Sequence, residues 1–250
     1  MQPTSRLFLT FVLLMSILIS PVAAQTPVEH NSARDGSILD TSQLLPQSGV
    51  GLTVDFSEGF NDITTLPTQG WAFINKSDPI GVIDWFQGNS DVFPAHSGDA
   101  TQYIAANFNN AAGVGTISNW LILPTRLFKN GDTLSFYTRT TLGSVWADRL
   151  EVRMSFAGDS EDVGVGALDV GDFDHFLASI NPDLISDGYP TEWTEITVPI
   201  NLTQPVVGRI ALRYFVTNAG PNGTNSNYIG IDSLSYNEGP WVTYLPVVIK

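Results

Sequence analysis

The chain predicts an all-β sandwich, and three observations carry that prediction. From Val50 onward, short apolar and aromatic runs alternate with clusters of Gly, Asn, Asp and Pro: GLTVDF, GWAFIN, VIDWF, QYIAAN, NWLILP, DTLSFYTRT, DRLEVRMSF, EWTEITVPI, RIALRYFV and YIGIDSLSY. Many short strands at such spacing are the signature of a β-sandwich. Within the runs the period is two, so each strand has one dry face and one wet face, as antiparallel sheets do. Finally, Gly208 to Tyr236 reads as two strands around an Asn/Gly/Pro turn.

Taken in order, residues 1–24 have a single Arg6, an apolar run from Leu7 to Ile19, a Pro21 break and Val22-Ala23-Ala24 before Gln25. This is the pattern of a secretory signal peptide, and it predicts an exported protein without a transmembrane helix after cleavage. Residues 25–48 are polar and weakly patterned, which fits a flexible leader. The sandwich is expected over 49–237, with a tail over 238–250. Pro246 in that tail suits an edge strand, and a short recognition tail for export or attachment is the other reading.

Leu134 and Phe136 alternate with Ser135 and Tyr137. Leu150, Val152, Met154 and Phe156 alternate with Arg149, Glu151, Arg153 and Ser155. Arg149, Arg153, Arg209 and Arg213 with Glu151 are therefore expected to form a ladder on a solvated face. In the last strand Ile229 and Ile231 share one phase and Leu234 and Tyr236 the other, which predicts a bulge near Asp232-Ser233. Asp232 then either hydrogen-bonds a neighbouring loop or ligates a metal ion.

One segment departs from the strand rhythm. Phe173, Phe176, Leu177 and Ile180 fall at helical spacing behind Asp172, so one short helix is expected inside a long acidic loop. From Gly158 to Gly188 that loop has eight acids and no Lys or Arg. His175 is expected on the exposed side of the helix.

Composition excludes several functions. Without Arg6 the chain has ten Lys and Arg against 25 Asp and Glu, a formal charge of −15, which disfavours nucleic acid and anionic membranes as partners. Cysteine is absent, so no disulfide, thiolate nucleophile or zinc-thiolate cluster can form. A Ser/His/Asp site would need His96 or His175, and neither is accompanied by a nucleophile elbow. Among the six Trp, Trp71, Trp120 and Trp193 sit in apolar strand contexts. Trp85 with Phe86, and Trp146 in the turn from Leu142 to Asp148, are the aromatic candidates for ligand binding.

In sequence order, several short motifs resemble a choice-of-anchor J domain, a relative of cleaved adhesin domains and, more distantly, of MAM domains. They are Glu58-Gly59-Phe60, Gly70-Trp71, Asp84-Trp85-Phe86-Gln87-Gly88, Tyr103 to Asn107, Asn119 to Pro124, Gly131 to Phe136, Asp148 to Arg153, and the block from Gly208 to Asp232. The resemblance covers about Val54 to Tyr236. It implies a jelly-roll sandwich of the galactose-binding-like type and an extracellular, non-catalytic binding or adhesion role toward a glycan or protein. It also implies a structural calcium ion (Ca2+), with Glu58, Asp84 and Asp232 as ligands and Asp55 as a weaker fourth. Calcium takes six to eight oxygens, so carbonyls and water would complete that shell. The alternative readings are a structural surface or matrix component that associates with copies of itself and, more remotely, a hydrolase built on loop carboxylates.

Overall fold

Two antiparallel sheets enclose one dry layer, and the phase of each strand decides which side chains enter it. The computed structural model describes residues 55–240; the expected signal peptide, the leader and the Trp241–Lys250 stretch of the tail lie outside the described residues. Thirteen strands are described: β1 (Phe56–Glu58), β2 (Ala72–Asn75), β3 (Asp78–Ile80), β4 (Phe86–Gln87), β5 (Ile104–Asn107), β6 (Ala111–Ile122), β7 (Arg126–Phe128), β8 (Thr133–Thr140), β9 (Leu150–Ser155), β10 (His175–Ile180), β11 (Thr194–Pro199), β12 (Val206–Ala219) and β13 (Tyr228–Asn237). One sheet runs β11-β8-β13-β5-β4, with β1 also paired to β13. The other runs β10-β9-β12-β6-β2, with β3 on β6 and β7 on β12.

Between the sheets lie Leu134 and Phe136 of β8, Leu150, Val152 and Met154 of β9, Ile210, Leu212, Tyr214 and Val216 of β12, and Ile229, Ile231, Leu234 and Tyr236 of β13. The four β13 residues can share one face because the ladder with β8 slips between Asp232 and Ser235. Ser233 there takes a left-handed φ of 49°. The extra residue restores the phase that the sequence breaks, as expected.

The acidic loop differs from expectation. His175–Ile180 is not a helix but strand β10, paired antiparallel to β9 with an irregularity between Phe176 and Ala178. The open edge of β9 offers this segment a ladder of backbone hydrogen bonds. A two-turn helix is intrinsically marginal beside that. His175 accordingly lies on a strand against the Phe156 ring, with centroids 4.9 Å apart. The longest helical segment among the described residues is a 3-10 helix at Ile63–Gln69, capped by Asp62 through Thr64 N.

The expected solvated arginine ladder is also corrected. Arg209, Ala211 and Arg213 do point away from the core, but residues 156–174 fold over them, and Arg209 and Arg213 are buried. Val163 and Phe173 from this cover pack with Trp120, Ile122 and Ala211. On the opposite sheet, residues 88–103 fold over the outer face, where Phe93 meets Tyr103, Ala105 and Tyr228. Both outer faces are thus largely covered, and recognition has to be sought at the loop ends.

Candidate ligand-binding site

Of the three aromatic candidates, Trp146 is the one that the fold leaves exposed. Its side chain is 47% exposed, and it lines a cleft of about 190 Å3 with Phe108, Gly220, Pro221, Gly223, Ser226 and Asn227. Three loops build this cleft: the β8–β9 turn, the 3-10 turn at Phe108–Asn110, and the β12–β13 turn. Each is tied to another. Asn227 Nδ2 donates to Thr141 Oγ1 at 2.6 Å and to Ser144 Oγ at 2.9 Å, and Ser144 Oγ donates to the Trp146 carbonyl at 2.9 Å. Ser226 N donates to Ala147 O, and Phe108 N to Asn227 O.

Behind Asn227, the fully buried Asp148 carboxylate accepts from Tyr214 Oη at 2.5 Å, Thr140 Oγ1 at 2.7 Å and Asn227 N at 2.8 Å. Burial pushes this carboxyl up, and the three donors oppose the shift. One acid thereby links β8, β12 and the start of β13 behind the Asn227 wall of the cleft. The cleft is smaller than the roughly 300 Å3 at which pockets for drug-sized ligands begin. It has room for a single ring and does not enclose a whole ligand.

The other two aromatic candidates are elsewhere. Trp85 is 5% exposed and belongs to the core between the sheets. Phe86 is half-buried and meets the Tyr228 ring edge-on at 5.6 Å. Trp85 packs between the sheets, and Phe86, on the edge strand β4 paired with β5, packs against the cover of Phe93, Tyr103 and Tyr228. Phe108, Pro221, Ser226 and Asn227, which the sequence reading did not single out, complete the cleft. They sit in NFNN and AGPNGTNSN, turn-rich segments whose composition marks loops and not ligands.

The four expected calcium ligands do not converge. Among the described residues, no group of three or more His, Asp and Glu is placed to hold a metal ion. Each carboxylate already has a backbone partner. Asp232 accepts from His96 N, Ser97 N and Ser233 N at 2.8, 3.0 and 2.5 Å. Glu58 accepts from Phe60 N at 2.6 Å, Asp84 from Trp85 N at 2.7 Å, and Asp55 from Glu238 N at 2.6 Å. Burial pushes the Asp84 and Asp232 carboxyls up. The described residues bring no three of these carboxylates together around one point, so they do not form the shell that the resemblance implies.

His96 brings Ser233 and Asp232 close without forming a relay. Its Nδ1 is 3.0 Å from Ser233 Oγ, and its ring stacks on Tyr137 at 3.6 Å. Asp232 bonds the backbone N–H of His96, whereas a catalytic acid would orient the ring through a nitrogen.

No family model matches the chain, and no curated protein does either. Among solved structures, the chain is similar to the K1 cleaved adhesin domain of Lys-gingipain from Porphyromonas gingivalis W83, with 20% identity and a TM-score of 0.51, covering 75% of this chain and all of that one. The K2 cleaved adhesin domain of Lys-gingipain follows with 19% identity and a TM-score of 0.49, over 74% of this chain and all of that one. A family 11 carbohydrate-binding module from Clostridium thermocellum, solved with a mixed-linked tetrasaccharide, has 14% identity and a TM-score of 0.41, over 74% and 96%. At these identities the likeness is one of fold: the chain has the sandwich fold of the cleaved adhesin domains.

Proposed function

We propose that the protein is an exported, non-catalytic binding module that recognises a neutral glycan at the Trp146 cleft. The observation that carries this reading is the half-exposed indole in a cleft whose Asn227 wall is braced by Asp148. A sugar ring presents C–H groups on one face, which suit the negative face of an aromatic ring. Its hydroxyls would meet the backbone of the largely exposed turn at 221–223, at the cleft edge. The formal charge, −14 for the full chain and −15 without Arg6, selects against polyanionic glycans. Membership of the choice-of-anchor J family, and with it a place on or outside the cell, accords with the shared adhesin fold. Calcium is not part of this reading, because Asp55, Glu58, Asp84 and Asp232 do not converge.

A partner protein is the second reading, favoured by Leu142 and Val145, which stand exposed beside Trp146. Titration calorimetry of the full-length protein against neutral and anionic soluble polysaccharides separates the two. Glycan binding predicts heat with neutral chains and an affinity lower by about tenfold or more in Trp146→Ala, at an unchanged melting temperature. Unchanged affinity in that variant overturns the assignment of the cleft. Silence across the whole panel transfers the weight to the protein partner, for which Leu142→Ser and Val145→Ser become the diagnostic changes.

A further inference from the structure

Gln87 holds an arrangement that an amide rarely needs. Its Nε2 lies 2.8 Å from Phe60 O, 2.7 Å from Thr101 O and 3.2 Å from Tyr103 O. An amide nitrogen has two hydrogens, so three convergent carbonyls exceed what it can fully serve. Its orientation is fixed by the other end of the group. Oε1 accepts from Ile63 N at 3.1 Å, and exchanging the two atoms would set an oxygen against three oxygens. The carbonyls come from two separate segments, the turn after β1 and the approach to β5. Phe60 takes a left-handed φ of 52°, an uncommon conformation for a bulky residue. It turns its carbonyl to Gln87 and its N–H to Glu58 Oε1.

Converging backbone carbonyls beside a carboxylate make the oxygen environment that hard cations prefer. Here a side-chain NH2 with partial positive charge stands at the centre. We propose that Gln87 is a built-in substitute for a cation: its amide clamps the Phe60–Ile63 turn to residues 101–103, so that the domain holds its fold without calcium. A carboxylate at residue 87 would remove the N–H donors and add an anionic oxygen, completing an oxygen cage for a hard cation. This inference is independent of the ligand assigned to the Trp146 cleft.

The test is calorimetric melting of the full-length protein, first stripped with chelator and then scanned in chelator and in millimolar calcium chloride. The wild type is expected to melt at the same temperature in both. Gln87→Ala leaves carbonyls without a donor and is expected to melt lower by roughly 3–10 °C in chelator. Gln87→Glu is expected to gain a calcium-dependent rise, because binding to the native state alone raises apparent stability. A wild type that gains several degrees in calcium overturns the proposal, as does Gln87→Ala at the wild-type temperature or Gln87→Glu without a calcium response. Should the variants fail to fold, calcium titrated into the wild type still decides: absence of binding heat supports the amide clamp, and saturable binding below millimolar calcium overturns it.

Discussion

The two sheets are covered on their outer faces by opposite chemistry. Over the β13 sheet, residues 88–103 are fastened by rings. Phe93 stacks on Tyr103 at 5.2 Å and meets Tyr228 and Trp193 edge-on, while the Tyr103 and Tyr228 hydroxyls bond each other at 3.0 Å. Over the β12 sheet, residues 156–174 are fastened by guanidinium groups. Arg213 Nη2 donates to Ala167 O at 2.6 Å and Asp169 O at 3.2 Å, its Nε donates to Ser118 Oγ, and Glu151 pairs with it at 3.3 Å. Arg209 reaches Leu123 O, Gly70 O and the Glu161 carboxylate. The first cover is held mainly by ring packing, with Asp232 accepting from its His96 and Ser97 N–H groups; the second adds donors that satisfy loop carbonyls to the packing of Val163 and Phe173.

The difference has an energetic consequence. Rings gain from leaving water, whereas a buried cation is tolerated only while its partners remain. Burial pushes the Arg213 guanidinium down to about 10, against the pull of Glu151. Arg213→Ala is therefore the most damaging change to either cover. Breaking a buried pair costs about 3–5 kcal/mol, and here it also removes the donors to Ala167 and Asp169. Urea unfolding should register the loss, and limited proteolysis should find new cleavage within residues 156–172. Arg213→Met keeps most of the side chain's bulk without its charge, and Glu151 keeps Arg153 Nε as a partner at 2.7 Å, so this change is expected to cost less than Arg213→Ala. An Arg213→Met variant as unstable as Arg213→Ala would show that the guanidinium acts through its donors to the loop carbonyls.

The aromatic cover fails by a different route. Gly230 lies on β13 directly beneath it, and a Cβ there would stand 2.9 Å from both the Phe93 and Trp193 rings and 3.0 Å from Tyr103. The rings cannot retreat without opening the cover. Gly230→Ala should cost about 1–3 kcal/mol by overpacking. Its signature is altered near-ultraviolet circular dichroism from the displaced rings, without the cleavage expected of Arg213→Ala. Wild-type aromatic dichroism in the variant would mean that the backbone moves and the rings do not.

These covers also mark where the sequence is legible. Strand phase is written locally, so the core faces of β8, β9, β12 and β13 and the bulge at Asp232-Ser233 can be read from alternation alone. Trp71 and Trp120 could be placed in buried contexts for the same reason. The fate of an outward face is not local. Arg209 and Arg213 alternate as residues on a wet face should, and only a loop arriving from 40 or more positions away makes that face dry. Phe173 to Ile180 has helical spacing, but the free edge of β9 recruits it as β10. The Trp146 cleft is legible in one residue, the exposed aromatic in a turn; its other walls come from turns at 108 and 220–227 whose meeting depends on the whole sandwich. Gln87 could not be recognised at all, because its role depends on three backbone carbonyls, which carry no sequence label.

The smallest effect is one of sign, and it distinguishes Asp232, which anchors the aromatic cover, from Asp132, which lies beside Lys129 and Gly239. Asp232 fastens residues 96–97 to β13, and its burial pushes the carboxyl up despite the N–H groups of Ser97, Ser233 and His96. Between the ordinary carboxylate value of about 3.9 and its higher folded value, the native state keeps a proton that the unfolded chain has released. The stability from Asp232 is then complete below the ordinary value and declines as pH rises through the folded one. Asp132 has the opposite sign. Burial alone would push its carboxyl up, but the Tyr236 hydroxyl, the Lys129 ammonium and the Lys129 and Gly239 N–H groups outweigh that and hold it below the usual range. Its contribution is complete above the ordinary value and is lost as pH falls through the folded one. Denaturant unfolding from pH 3 to 7 should therefore show the cost of Asp232→Asn shrinking as pH rises and the cost of Asp132→Asn shrinking as pH falls. A cost of Asp232→Asn that grows with pH would mean that the three N–H donors prevail over burial, making the ionised carboxylate the form that holds the aromatic cover in place.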